Sequence, residues 1–134
     1  MAHHSVPLRS LEAKIVGTGW SILGVLDLGS KIVAMPKRGW EDLGLPIRSD
    51  HVMTMSNTNT STESTLGIVE NLCLDFSAGE FCLQLQVLPR ANFDLLLGQP
   101  FHCLLSASTE DFPDGSQTIT LCDPNLGKVY KLPT

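Results

Sequence analysis

Apolar and polar residues alternate with a period of two along most of this chain. Leu11 to Val16 and Ser21 to Asp27 read as strands, joined by the turn cluster Gly17-Thr18-Gly19. Lys31 to Met35 reads as another short apolar strand. Pro36 to Leu43 predicts a helix, because proline suits a first turn, Trp40 and Leu43 share a face, and Gly44 is a good stop. Leu45-Pro46-Ile47 resumes an extended chain. His51 to Asn57 and Thr65 to Val69 predict a hairpin whose tip is the polar tract Asn57 to Ser64. Leu72 to Phe76, Phe81 to Leu88 and Phe93 to Leu97 are further strands. Phe81-Cys82-Leu83-Gln84-Leu85-Gln86-Val87 alternates strictly, so one face should be buried and the other wet. Gly98-Gln99-Pro100 breaks the pattern, and Pro100 to Ser106 predicts a short helix. Gln117 to Cys122 and Lys128 to Leu132 form a terminal hairpin around Asp123-Pro124-Asn125-Leu126-Gly127, where Pro124 and Gly127 are turn residues. Many short strands with two short helices indicate an all-β domain, barrel-like or a folded sheet.

Composition narrows this picture. At 134 residues the chain is one domain's worth, 1–134, with residues 1–6 and their paired His3 and His4 expected to be a disordered or artificial lead-in. Hydrophobic residues make up 43% but aromatics only 6%, so the core must be mostly Leu, Val and Ile. A net charge of -5 argues against nucleic acid, whose phosphates need a basic face. No apolar run approaches the roughly 20 residues that span a bilayer, and Met1 to Ser5 carries no apolar leader. The expectation is a cytoplasmic protein that binds no membrane.

Cys73, Cys82, Cys103 and Cys122 show no C-x-x-C pair and no His at metal-ligand spacing. They are expected to be reduced thiols, buried or half-buried, and no metal or cofactor is expected. Asn59-Thr60-Ser61 matches a glycosylation sequon by chance. Trp20 and Trp40 are read as core or interface residues, His102 as helix packing, and Glu110, Asp111 and Asp114 as a solvated loop.

The candidate chemistry lies in Val25-Leu26-Asp27-Leu28-Gly29-Ser30. Asp27 ends an apolar strand, Gly29 lets the backbone turn and another segment approach, and Ser30 can hydrogen-bond a neighbouring carboxylate. An Asp before glycine is most often just a turn residue. A second element changes that balance. Asn92 to Phe101 gives an apolar strand, Gly98, and a helix start.

Together these segments resemble the retropepsin-like aspartic proteases, in particular the protease segment of gypsy-type LTR retrotransposon polyproteins. Asp27, Leu28, Gly29 and Ser30 stand where that family has its Asp-Thr/Ser-Gly loop. Trp40 to Pro46 is similar to its helix and Leu-Gly-Leu-Pro exit, and Phe93 to Phe101 to its hydrophobic-hydrophobic-Gly element. Asp111 to Gln117 and Asp123 to Gly127 resemble the tail of those segments. The ordered set covers nearly the whole chain.

The resemblance implies one lobe per chain and a symmetric homodimer, with one Asp27 from each copy at the two-fold axis. It implies a peptide or polyprotein substrate, hydrolysed by water that the paired carboxylates activate. Asn57, Thr58, Asn59, Thr60 and Ser61 would then be the flap over the substrate. Leu96, Leu97 and Gly98 would be the strand that passes behind the active-site loop. Three residues depart from the family pattern: Leu28 lacks the hydroxyl that braces the two loops, Lys31 replaces a frequent Asp, and Gln99 replaces a frequent Arg. These departures motivate a second reading, a retropepsin fold kept as a peptide-binding or dimerisation module. A third is a monomeric all-β interaction domain.

Overall fold

The computed structural model describes residues 9–49, 54–56, 62–76, 80–123 and 127–134. Strand β1 (Ser10–Ile15) buries Leu11, Ala13 and Ile15 and exposes Glu12 and Lys14, the alternation a half-buried strand requires. It turns back into β2 (Ser21–Leu26) in antiparallel register, with Leu11 opposite Gly24 and Ala13 opposite Ile22. β3 (Val33–Pro36) is buried along its whole length. Helix α1 (Lys37–Leu43) follows directly. It ends at Gly44, whose left-handed φ of 64° lets its N–H reach the carbonyls of Trp40 and Glu41.

The expected hairpin is present as β4 (Thr54–Ser56) and β5 (Thr62–Ser64), paired with Thr54 opposite Ser64. Its second strand lies inside the polar tract rather than at Thr65 to Val69. The next two predicted strands are one, β6 (Gly67–Asp75), with a register shift between Val69 and Leu72 where it pairs β7 (Glu80–Leu88). A bulge explains the sequence pattern: Glu70 and Asn71 together oppose the single residue Gln84, which interrupts the alternation without ending the strand. Gly67, at φ 148°, lies against the carbonyl of Arg48, whose backbone exchanges two 2.8 Å hydrogen bonds with Ile68.

β8 (Leu95–Leu97) leads into α2 (Gln99–Leu104), which carries a proline in its first turn. β9 (Ser108–Asp111), β10 (Gln117–Cys122) and β11 (Val129–Pro133) form a separate antiparallel sheet in the order β11-β10-β9. Glu110 and Asp111, expected in a loop, are strand residues. β9 is exposed at every position, so no hydrophobic period marks it.

Six strands close a barrel in the order β1-β2-β8-β3-β7-β6. Its interior is aliphatic, as the composition requires: Met35, Leu72, Leu74, Leu85, Val87, Leu95 and Leu97 are fully buried. The few aromatics join the outer parts to it. Phe76 stacks obliquely on Phe101 of α2 at 5.8 Å, and Phe81 meets Tyr130 of β11 edge-on at 6.2 Å. Ile119 and Leu121 carry β10 into the same core.

The cysteine expectation is corrected. Cys73 and Cys82 form a disulfide, with Cα atoms 3.9 Å apart. The two residues are directly opposite in the β6–β7 register. Sequence periodicity assigns each to a face but cannot show that the faces coincide across a hairpin. Cys103 and Cys122 remain thiols, and Cys103 is exposed rather than buried. Trp40 packs against the core and its indole N–H donates to the Leu45 carbonyl at 2.6 Å. Trp20 is 52% exposed in the turn that joins β1 to β2. Among the described residues, no helix is long and apolar enough to cross a membrane.

Candidate active site

β8 lies between β2 and β3, parallel to the first and antiparallel to the second. Leu97 faces Leu26 on one side and Val33 on the other. Residues 27–32 therefore have to cross over the end of β8. That crossing contains Asp27, Leu28, Gly29 and Ser30, and Leu96, Leu97 and Gly98 pass behind it.

Backbone hydrogen bonds fix the crossing. The Asp27 N–H donates to the Leu97 carbonyl at 3.1 Å, and the Gln99 N–H donates to the Ser30 carbonyl at 2.8 Å. The Ser30 N–H closes the turn onto the Asp27 carbonyl at 3.2 Å. Gly98 fits because it has no side chain: a Cβ there would strike the Ile32 carbonyl oxygen and stand 2.7 Å from that of Ser30. The Gly98 carbonyl is gripped in turn by the buried His102, whose Nδ1 lies 2.8 Å from it. His102 thus packs the helix, as expected, and also ties α2 to the strand behind the loop.

The carboxylate is held at one oxygen. Asp27 Oδ1 accepts the Gly29 N–H at 2.9 Å, while the side chain stays half-buried and within reach of a ligand or second chain. Ser30 does not bond a carboxylate. Its hydroxyl donates to the Ile32 carbonyl at 3.2 Å and accepts the Ile32 N–H at 3.3 Å. Leu28 stands 60% exposed beside Asp27.

Strand register extends the site. Val25 pairs with Leu96, Leu96 with Ala34, Ala34 with Gln86, and Gln86 with Ile68. Cross-strand partners share a face, so these five form one row across the outside of the barrel. Asp27 follows Val25 by two positions, the spacing that keeps side chains on one face of an extended chain. Sequence reading missed this row. It also placed Gln86 on a wet face, whereas Gln86 is only 9% exposed and its Oε1 has no partner.

Asn57, Thr58, Asn59, Thr60 and Ser61, the expected flap tip, lie outside the described residues; β4 and β5 flank them. A cavity of about 260 Å³ adjoins the loop, lined by Lys31, Ile32, Val33, Gln84, Leu85, Gln86 and Pro100. A second, about 170 Å³, lies between the β1–β2 hairpin and α1 and takes no residue from the crossing 27–32. Among the described residues, no group of three or more His, Cys, Asp or Glu is placed to hold a metal ion.

No protein-family profile matches this chain, and no curated protein matches it. Among solved structures it is similar to the crystal structure of the retroviral protease-like domain of Ddi1 from Leishmania major. The two share 15% identity with a TM-score of 0.61, covering 96% of each chain. The chain has a retropepsin-like fold, with the closed barrel and short helices that the sequence implied.

Proposed function

We propose that this chain is one lobe of a homodimeric aspartic endopeptidase. We infer further that it processes the polyprotein of a gypsy-type LTR retroelement in the cytoplasm. The observation that carries the reading is the placement of Asp27, half-buried on a crossing braced from behind by Gly98, with one oxygen fixed by the Gly29 N–H. The fold likeness and the ordered sequence motifs support it.

In a symmetric pair, two Asp27 carboxylates about 3 Å apart cannot both ionise and share one proton. The ionised member takes a proton from water as its oxygen bonds to the scissile carbonyl carbon. The protonated member donates to the carbonyl oxygen, giving a tetrahedral intermediate. Collapse of that intermediate breaks the C–N bond, and the amine leaves with a proton from the dyad. The row Val25, Leu96, Ala34 would lie beneath the substrate as its apolar floor.

Leu28 favours a second reading, a peptide-binding or dimerisation module without turnover, because it cannot donate a hydroxyl across the axis. Each lost hydrogen bond is worth about 0.5–1.5 kcal/mol net. Burial of each leucine contributes about 1.5–3 kcal/mol, so the dimer is not forfeited. Cleavage of a peptide library across pH separates the readings. Turnover that disappears in Asp27→Asn supports the peptidase; wild-type protein that binds peptides but cleaves none at any pH supports the module.

A further inference from the structure

Gln86 is the one polar member of the row Val25, Leu96, Ala34, Gln86, Ile68. It is only 9% exposed, and among the described residues its Oε1 has no hydrogen-bond partner. Buried carboxamide oxygens are normally bonded, and an orphaned one in a native fold calls for a physical reason. A packing reason is weak, since leucine or methionine fills similar volume without a polar atom. The same residue lines the cavity of about 260 Å³ whose rim includes Lys31, four positions after Asp27, and Gln84.

We propose that this cavity is a specificity subsite for a carboxamide side chain, Gln or Asn, of the peptide substrate. The inference rests on the peptidase reading and deepens it. A carboxamide both donates and accepts, so it pairs with the Gln86 carboxamide through two complementary N–H···O bonds. Rotation about the last Gln86 torsion, soft for a carboxamide, chooses which of its ends meets the ligand. Lys31 and Gln84 supply donors for the ligand's remaining carbonyl lone pair. An aliphatic side chain would leave the Gln86 oxygen orphaned, and a lysine or arginine would face the Lys31 ammonium.

A positional peptide library tests this in two arms, cleavage by wild type and equilibrium binding by the Asp27→Asn protein. Gln or Asn should exceed Leu by at least tenfold at one position in either arm. Gln86→Leu and Gln86→Met should each remove that preference at that position alone, and the unaffected positions report that the variants are folded. Selective binding without cleavage upholds the subsite and overturns the peptidase reading. Cleavage that prefers aliphatic or acidic residues at every position, or a Gln preference that survives both substitutions, overturns the subsite and leaves the peptidase standing. Failure of both arms to select any peptide overturns both.

Discussion

Gly98 and Ile32 are in backbone contact: the Ile32 carbonyl occupies the space where any larger residue at 98 would carry its Cβ. The obstruction is main chain from the crossing that carries Asp27, and Ser30 adds a second carbonyl. Gly98→Ala is therefore expected to destabilise the fold by about 3 kcal/mol, the upper end of overpacking costs. Gly39, inside α1, has nothing within 4 Å of its Cβ position. Gly39→Ala should stabilise by about 0.5–1 kcal/mol through helix propensity. Urea unfolding of the two variants measures both, and equal effects would refute the crowding at Gly98.

Asp27→Asn should abolish peptide cleavage and leave the unfolding midpoint near wild type. Asparagine keeps an oxygen for the Gly29 N–H, so the loop retains that side-chain brace. In the proposed dimer, wild-type activity should fall on both sides of a pH optimum, because a dyad that works with one shared proton fails on gaining or losing one. Hydrolysis rates against pH, read beside the variant's circular dichroism, check both expectations.

Leu28 is predicted to be the apolar centre of the dimer contact. Leu28→Asp should leave the monomer folded, since the side chain is 60% exposed. It should weaken dimerisation by at least a hundredfold, because two leucine burials of about 1.5–3 kcal/mol each are lost and like charges are brought together. Sedimentation over a concentration series decides it. A variant that dimerises as tightly as wild type would move the interface elsewhere.

The Cys73–Cys82 bond predicts two titratable thiols in the oxidised protein and four after reduction. The bond closes a loop with a sequence separation of 9, so its removal should cost about 2 kcal/mol of stability. In a reducing cytoplasm the pair would be held largely as thiols. Thiol counting and thermal unfolding with and without reductant test the bond directly.

Asp114 carries a local pH dependence. The Ser116 hydroxyl, at 2.6 Å, and then the Ser116 N–H hold its carboxyl below the ordinary aspartate range. A lowered folded value means the contribution is fully present above the unfolded pKa and fades as pH falls through the folded one. Ser116→Ala should move the Asp114 titration upward in carboxyl-detected NMR. The group is solvent-exposed, so the effect on global stability should be small.

The barrel strands were legible because their interior positions repeat at period two and their ends carry glycine or proline, as at Pro36 and Gly98. The crossing around Asp27 was legible for the same reason, with the resemblance of ordered motifs supplying its meaning. Other features depend on information that no single segment holds. β9 has no buried residue, so it exists only because β10 offers it a ladder. The Cys73–Cys82 contact depends on the register of two strands. Burial of Gln86 depends on what its row packs beside, and strict alternation pointed the other way.

The position of β8 governs how the molecule can be assembled. β2 and β3 are made early, yet the edge that each turns toward the other must wait for Leu95–Leu97 to fill it. A nascent chain still inside the ribosome at that point holds two strand edges open, with its acid-bearing crossing unsupported. Such late, distant pairings slow folding, and the crossing gains its backing only once the chain beyond Gly98 is available.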